Sequence, residues 1–290
     1  MTLAQLIATV EARLDQAGVC FGHGTTNARD EAAWLVLHAL DMPLDSDVPA
    51  ISQSGAPIAP GQIAHVAALL QARIQTRKPL AYLTHQAWLQ GVSFYVDERA
   101  IVPRSLIAEL LADGGIDPWL SAQTRQVLDL CTGNGSLACL AAMAWPEVRV
   151  TGADLSADAL AVARANVLRH GLQERIALLQ SDGLAACGGP WDLILCNPPY
   201  VNARSMAALP PEYRAEPALA LAGGIDGMDF VRVLLREARA CMTAQAVLVL
   251  EIGHERAHFE AAFPALQAVW LETSAGADQV LLLTREALGT

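Results

Sequence analysis

Two short stretches of this 290-residue chain combine residue types that can do chemistry. The first is DLCTGNGSLA, residues 129–138, which follows an apolar strand-like run and opens a helix-like one. Gly133 and Gly135 permit a tight turn and let a ligand approach the backbone closely. With Ala138 they fit the G-x-G-x-x-A form of the dinucleotide fingerprint. At this place in a strand–helix unit the pattern points to a nucleotide-like cofactor, a plain glycine turn being the simpler alternative. Asp154 ends VTGAD, where a carboxylate accepts hydrogen bonds from ribose hydroxyls. Its structural alternative is to cap the helix that starts near Ser156.

The charges narrow the cofactor. Asp129 sits at a strand end expected to point into the ligand crevice, where a carboxylate suits a cationic ligand and repels a pyrophosphate. S-adenosylmethionine carries an ammonium and a sulfonium and no phosphate. Asp182, ending LLQSD, is available to an adenine amino group. Three carboxylates ending three successive strands fit that cofactor better than NAD. Thr132, Gly133, Asn134 and Gly135 of the loop, Leu155 beside Asp154, and Gly183 beside Asp182 complete the candidate cofactor set, with Asn197 at its edge.

The second stretch is WDLILCNPPYV, residues 191–201. An apolar strand stops at Asn197, and two prolines follow that can continue neither a ladder nor a helix. Pro199 pushes Pro198 toward an extended conformation. The Asn197 side-chain oxygen and the Pro198 carbonyl can then point the same way, as a pair of acceptors for a planar NH2 group. Tyr200 offers a flat surface against that plane. An amide or exocyclic amine is a poor nucleophile because its lone pair is delocalised. Two acceptors on its hydrogens stabilise the positive charge that develops as the nitrogen takes a methyl group. Asn197, Pro198, Pro199 and Tyr200 are therefore the candidate catalytic residues, against the plain reading of a proline-rich loop. A third pattern, HERAH at 254–258, matches the H-E-x-x-H zinc motif. It comes late in the series with no third ligand in evidence, so it reads as a chance match on a solvated helix face and no metal is expected.

These stretches need elements to position them. From about residue 125, apolar runs of strand length alternate with helix-spaced runs, which predicts a parallel, doubly wound α/β sheet. The strand ending at Asn197 should lie beside the one ending at Asp129. AVWLETS and DQVLLLTRE leave no room for a helix between them and should pair antiparallel. Residues 1–90 space their apolar residues at three and four and read as a helical domain, interrupted by a Ser/Pro/Gly-rich loop at 46–61. A β-hairpin linker is expected over 91–104, with the catalytic α/β domain over 105–290.

Composition bounds the partners. The formal net charge of −11 makes nucleic acid a poor generic partner and a basic protein a suitable one. Six scattered cysteines without a Cys-x-x-Cys pair suggest buried thiols in a reducing compartment. The first residues lack the basic segment of a secretory signal, and no apolar run has membrane-spanning length, so a soluble cytoplasmic protein is expected.

Asp129-x-x-x-Gly133-x-Gly135 together with Asn197-Pro198-Pro199-Tyr200 resembles the S-adenosylmethionine-dependent amino-methyltransferases. That superfamily includes adenine N6, RNA guanine N2 and protein glutamine N5 enzymes, and the tetrapeptide alone does not choose among them. FGHGTTNARDEAAWLVLHAL, AYLTHQAW, FYVDERAIVPRS and LPPEYRAEPALAL resemble the protein glutamine N5-methyltransferase family, in the branch that modifies ribosomal large-subunit protein three. The release-factor branch typically has Pro-Arg-x-Asp-Thr-Glu where this chain has Pro103-Arg104-Ser105-Leu106-Ile107-Ala108-Glu109. The resemblance implies a Rossmann-like seven-stranded methyltransferase domain behind a small helical domain that recognises the protein substrate. It implies that Asp129, Gly133, Gly135, Asp154 and Asp182 line an S-adenosylmethionine site. It further implies that Asn197 and Pro198 hold a glutamine amide with Tyr200 against it, on a basic ribosomal large-subunit protein. Glutamine methylation of release factors and amino-methylation of nucleic acid are the alternatives.

Overall fold

A computed structural model of the chain describes residues 1–53 and 57–289. By internal packing these described residues divide into two units, those within 1–87 and 209–215, and those within 88–208 and 216–290.

The first unit is helical. α1 (Leu3–Ala17) opens with a Thr2–Gln5 capping box and buries Leu3, Leu6, Ile7, Val10 and Leu14 along one stripe. α2 (Ala28–Ala39) is capped by Asn27, whose side chain accepts from the Asp30 N–H. Helix α3 (Val48–Gln53) lies inside the stretch expected to be a loop. Its first turn is set by Asp47, which accepts from the Ala50 N–H at 2.9 Å, and it tolerates Pro49 because a proline there loses no helical hydrogen bond. Residues 54–56 of that expected loop lie outside the described residues. α4 (Pro60–Thr76) and α5 (Leu80–Thr84) follow. At the centre of this unit Arg73 is fully buried. Its guanidinium donates to Glu31 at 2.7 Å, to the Cys20 carbonyl at 2.9 Å and to Glu212 at 3.4 Å. Glu212 also pairs with Arg77 at 2.8 Å and accepts from the Cys20 N–H. These contacts place residues 209–215 with the helices, a membership that local sequence pattern does not reveal.

A hairpin of β1 (Ala87–Leu89) and β2 (Val92–Phe94) comes next in the chain. Gln90 and Gly91 both take positive φ (49° and 74°) and close its two-residue turn, so its first strand precedes residue 91. Past Phe94 the chain runs without a strand to α6 (Ile107–Asp113). Then come β3 (Gln126–Leu130), α7 (Ser136–Ala144), β4 (Arg149–Asp154), α8 (Ala157–Arg169), β5 (Ile176–Gln180) and β6 (Trp191–Cys196). After them lie α9 (Ala203–Ala208), the Pro211–Arg214 turn as α10, α11 (Asp229–Glu237), β7 (Met242–Glu251), α12 (Arg256–Ala262), β8 (Val269–Thr273) and β9 (Gly276–Thr284).

Strands β3 to β9 form one sheet in the order β5-β4-β3-β6-β7-β9-β8. The first five are parallel, and β9 runs antiparallel to both β7 and β8. Central strands are apolar on both faces. Val127, Leu193, Leu195, Val247 and Val249 pack into one core with α6, α7 and α8, while Leu128, Ile194, Leu248 and Leu250 pack into another with α11 and α12. The chain runs outward from β3 through β4 to β5, then returns to the other side of β3 as β6. That reversal opens a crevice at the carboxyl ends of β3 and β6, the place where open α/β sheets bind ligands. No helix among the described residues is long and apolar enough to cross a membrane.

Candidate active site

The turn after β3 bends through three positive φ angles, at Cys131 (62°), Gly133 (56°) and Gly135 (79°). Each glycine is needed for its own reason. A Cβ on Gly135 would lie 3.0 Å from the Ala163 Cβ, so α8 packs directly against the turn. A Cβ on Gly133 would meet nothing within 4 Å, and Gly133 lines the cleft, so the missing side chain leaves room for a ligand. Asn134 is buried, and its carbonyl accepts from Asn166, whose side chain also pairs with the Tyr95 backbone.

Asp129 departs from expectation. It is fully buried rather than exposed in the crevice, and one oxygen accepts from the Thr132 hydroxyl and the Ala138 N–H, bracing the glycine turn. Its other oxygen has no hydrogen-bond partner among the described residues. Burial pushes its carboxyl up to about 7, with hydrogen bonds from Thr132 and Ala138 opposing and the neighbouring Asp154 adding. Asp154 does double duty at the end of β4, accepting from the Gly133 N–H and from the Ser156 N–H, each at 2.9 Å. Ser156 itself caps α8. Burial raises the Asp154 carboxyl above the usual range as well.

Asp154, Leu155, Asp182, Gly183, Asn197 and Pro199 line the same cleft as Gly133. Leu155 is 46% exposed and supplies an apolar wall together with Ile101, Leu130 and Phe230. Arg99 is the cation in the lining, and Asp97 neutralises it through contacts of 2.6 and 2.9 Å. The Asn197 side chain makes no hydrogen bond to any described residue, so its amide is unengaged at the tip of β6. Asp129, Thr132, Asn134, Gly135, Pro198 and Tyr200 are not in this lining. Tyr200 is held elsewhere. Its hydroxyl donates to Glu251 at 3.3 Å, and its ring lies against Gly253, where a Cβ would come within 2.6 Å of it.

Glu251 and Ser105 are the residues that sequence reasoning passed over. The available signal was a carboxylate closing the apolar run QAVLVLE, on the strand next to β6. Arg104 and Glu216 also escaped notice, and they form a bidentate pair of 2.6 and 2.7 Å that fixes the Val102–Ser105 segment. HERAH resolves into something other than one helical face. α12 begins at Arg256, so His254 precedes it, while Glu255 accepts from Asn202 at 2.6 Å and pairs with His258.

Solved structures share this fold. The chain matches the hMettl16 catalytic domain in complex with MAT2A 3′UTR hairpin 6 with a TM-score of 0.53 at 11% identity, over 78% of this chain and 81% of that one. A profile of the family described as "Methyltransferase small domain" matches residues 111–209, the span from α6 past Tyr200. The sheet is wound in this order with Gly133 and Asn197 lining one cleft at its switch point, and together with the curated relatives the profile places the chain among methyltransferases. Curated relatives narrow the class. Proteins named "Ribosomal protein uL3 glutamine methyltransferase" are 53% identical in Bordetella pertussis, over 100% of this chain and 97% of that one, and 51% identical in Burkholderia pseudomallei, over 97% and 94%. One from Neisseria gonorrhoeae is 46% identical over 99% and 95%. The chain belongs to the ribosomal protein uL3 glutamine methyltransferase family.

Proposed function

We propose that the chain transfers a methyl group from S-adenosylmethionine to the side-chain amide nitrogen of a glutamine in ribosomal protein uL3. The observation that carries this reading is the unengaged Asn197 amide at the tip of β6, in the same cleft as Gly133, Asp154 and Asp182. The relatives' names supply the protein substrate.

The residues present fit the cofactor. Asp129 keeps one buried oxygen without a partner among the described residues, the cleft side of Gly133 is open, the lining carries two carboxylates, and its arginine is already paired. A cationic, phosphate-free nucleoside suits that set. The glycine turn, with the buried Asp129 carboxylate behind it, would hold its ammonium end, Asp154 its ribose hydroxyls, and Asp182 with Leu155 its adenine. When bound, S-adenosylmethionine supplies an electrophilic methyl group on a sulfonium.

The chain's own residues do the rest. Asn197 and the Pro198 carbonyl accept the two hydrogens of the glutamine amide and aim its nitrogen into the cleft. They also stabilise the positive charge that grows on that nitrogen. Pro198 and Pro199 keep the acceptor carbonyl in place. The helical unit is assigned recognition of the protein substrate, and the net charge of −11 attracts a basic one. The test is to incubate the chain with labelled S-adenosylmethionine and, separately, uL3, a peptide release factor, and ribosomal RNA. Labelling of uL3 is expected. Preferential labelling of the release factor or of RNA would overturn the reading.

A further inference from the structure

We propose that Glu251 is a positioning residue for methyl transfer, holding Tyr200 and the Ser105–Leu106 turn on one buried carboxylate and thereby fixing the Asn197–Tyr200 loop. The inference rests on the glutamine-methyltransferase reading above.

β7 runs parallel to β6 with Leu250 opposite Cys196, so Glu251 lies level with Asn197, one strand away. It is 3% exposed. One carboxylate oxygen accepts from the Ser105 hydroxyl at 2.5 Å and from the Leu106 N–H at 2.9 Å, and the other accepts from the Tyr200 hydroxyl at 3.3 Å. No cation pairs with Glu251 among the described residues. An uncompensated carboxylate is an expensive way to fill a strand end, where an aliphatic side chain would pack at lower cost. Its three donors come from two separate segments, and one of them belongs to the tetrapeptide that carries the chemistry.

The rest of the loop leaves Tyr200 little freedom. A Cβ at Gly227 would sit 2.2 Å from the Tyr200 carbonyl oxygen, and one at Gly253 would meet the ring. The next residue is tied on both sides, with the Val201 N–H donating to Leu221 and its carbonyl accepting from Gly223. Asn202 is held in turn by Glu255. Backbone and ring are thus confined, and the phenol hydroxyl is the remaining polar handle, with Glu251 on it. Losing that handle lets the ring turn and the Asn197–Pro198 acceptors drift. Drift on the ångström scale costs about a hundredfold in rate.

The experiment measures single-turnover methyl transfer to uL3 by wild type, Glu251→Ala, Glu251→Gln, Tyr200→Phe and the Glu251→Ala/Tyr200→Phe double variant. S-adenosylmethionine affinity is measured alongside. Glu251→Ala is expected to slow transfer about a hundredfold while cofactor and uL3 affinities stay within about threefold. Glu251→Gln, which retains an acceptor, is expected to recover at least about tenfold of that loss. The Glu251 and Tyr200 losses are expected to be non-additive, as for groups acting through one contact. Should Glu251→Ala fail to fold, Glu251→Gln, Tyr200→Phe and Ser105→Ala decide the matter. Wild-type rates in those three overturn the proposal, as do strictly additive losses. Absence of transfer to uL3 by the wild-type chain instead refutes the underlying reading of function.

Discussion

Replacing Asp129 with asparagine separates what the buried carboxylate does for the fold from what it does for a ligand. Its carboxyl stands at about 7 against an ordinary 3.8, chiefly from burial. That displacement corresponds to about 4 kcal/mol. A carboxyl raised in the folded state binds its proton more tightly folded than unfolded. Its contribution to stability is therefore full below about pH 4 and is lost as pH rises through about 7. Asp129→Asn removes the cost of burying the anion but leaves an amide NH2 without a partner, a penalty of about 1–3 kcal/mol. The variant is expected to be about 2 kcal/mol more stable than wild type near pH 8 and no more stable near pH 5, read from urea unfolding at both. Calorimetric titration with S-adenosylmethionine is expected to show the opposite trend in binding, weakened about tenfold by loss of the negative charge behind the glycine turn. A variant equally destabilised at both pH values, with cofactor affinity intact, refutes this account of Asp129.

Three further outcomes follow from the same structure. Gly133→Ala puts a methyl into open space at the cleft, so unfolding should show a loss of only about 1–2 kcal/mol from its positive φ, while cofactor titration should show at least a tenfold loss. Gly135→Ala drives a methyl into Ala163, and chemical denaturation should show a further 1–3 kcal/mol or so lost to overpacking. Arg73→Met leaves Glu31 buried without its cation, with Arg77 still on Glu212, and should cost about 3–5 kcal/mol in the helical unit, measured by circular dichroism during urea unfolding.

Much of the α/β unit was legible because its central strands are buried on both faces and interrupted by helix-spaced runs. The pairing of β3 with β6 followed from that alternation, and it brought Gly133 and Asn197 to one crevice. Side-chain engagement was another matter. That Asp129 braces Thr132 and Ala138 depends on how the turn folds back over it, which a strand-end carboxylate does not disclose. Tyr200 suggested a flat wall for the amide, yet its hydroxyl is held by Glu251, 51 residues further on. Residues 209–215 read as part of the catalytic unit until Glu212 found Arg73, Arg77 and a backbone amide 192 residues away at Cys20. The hairpin turn around Gly91 carried a glycine signal, whereas Gln90 at its first left-handed position carried none.

The central claim is that Asn197 presents a glutamine amide to a methyl donor. Tandem mass spectrometry of uL3 after incubation with S-adenosylmethionine and either wild type or Asn197→Ala tests it most directly, with cofactor affinity measured on both proteins. The account predicts one methyl group on a glutamine side-chain nitrogen with wild type and none with Asn197→Ala, at cofactor affinities within about twofold, since the acceptor pair acts on the amide and not on the donor. Undiminished glutamine methylation by Asn197→Ala, or a methyl group placed by the wild-type chain on any other residue type, would contradict it.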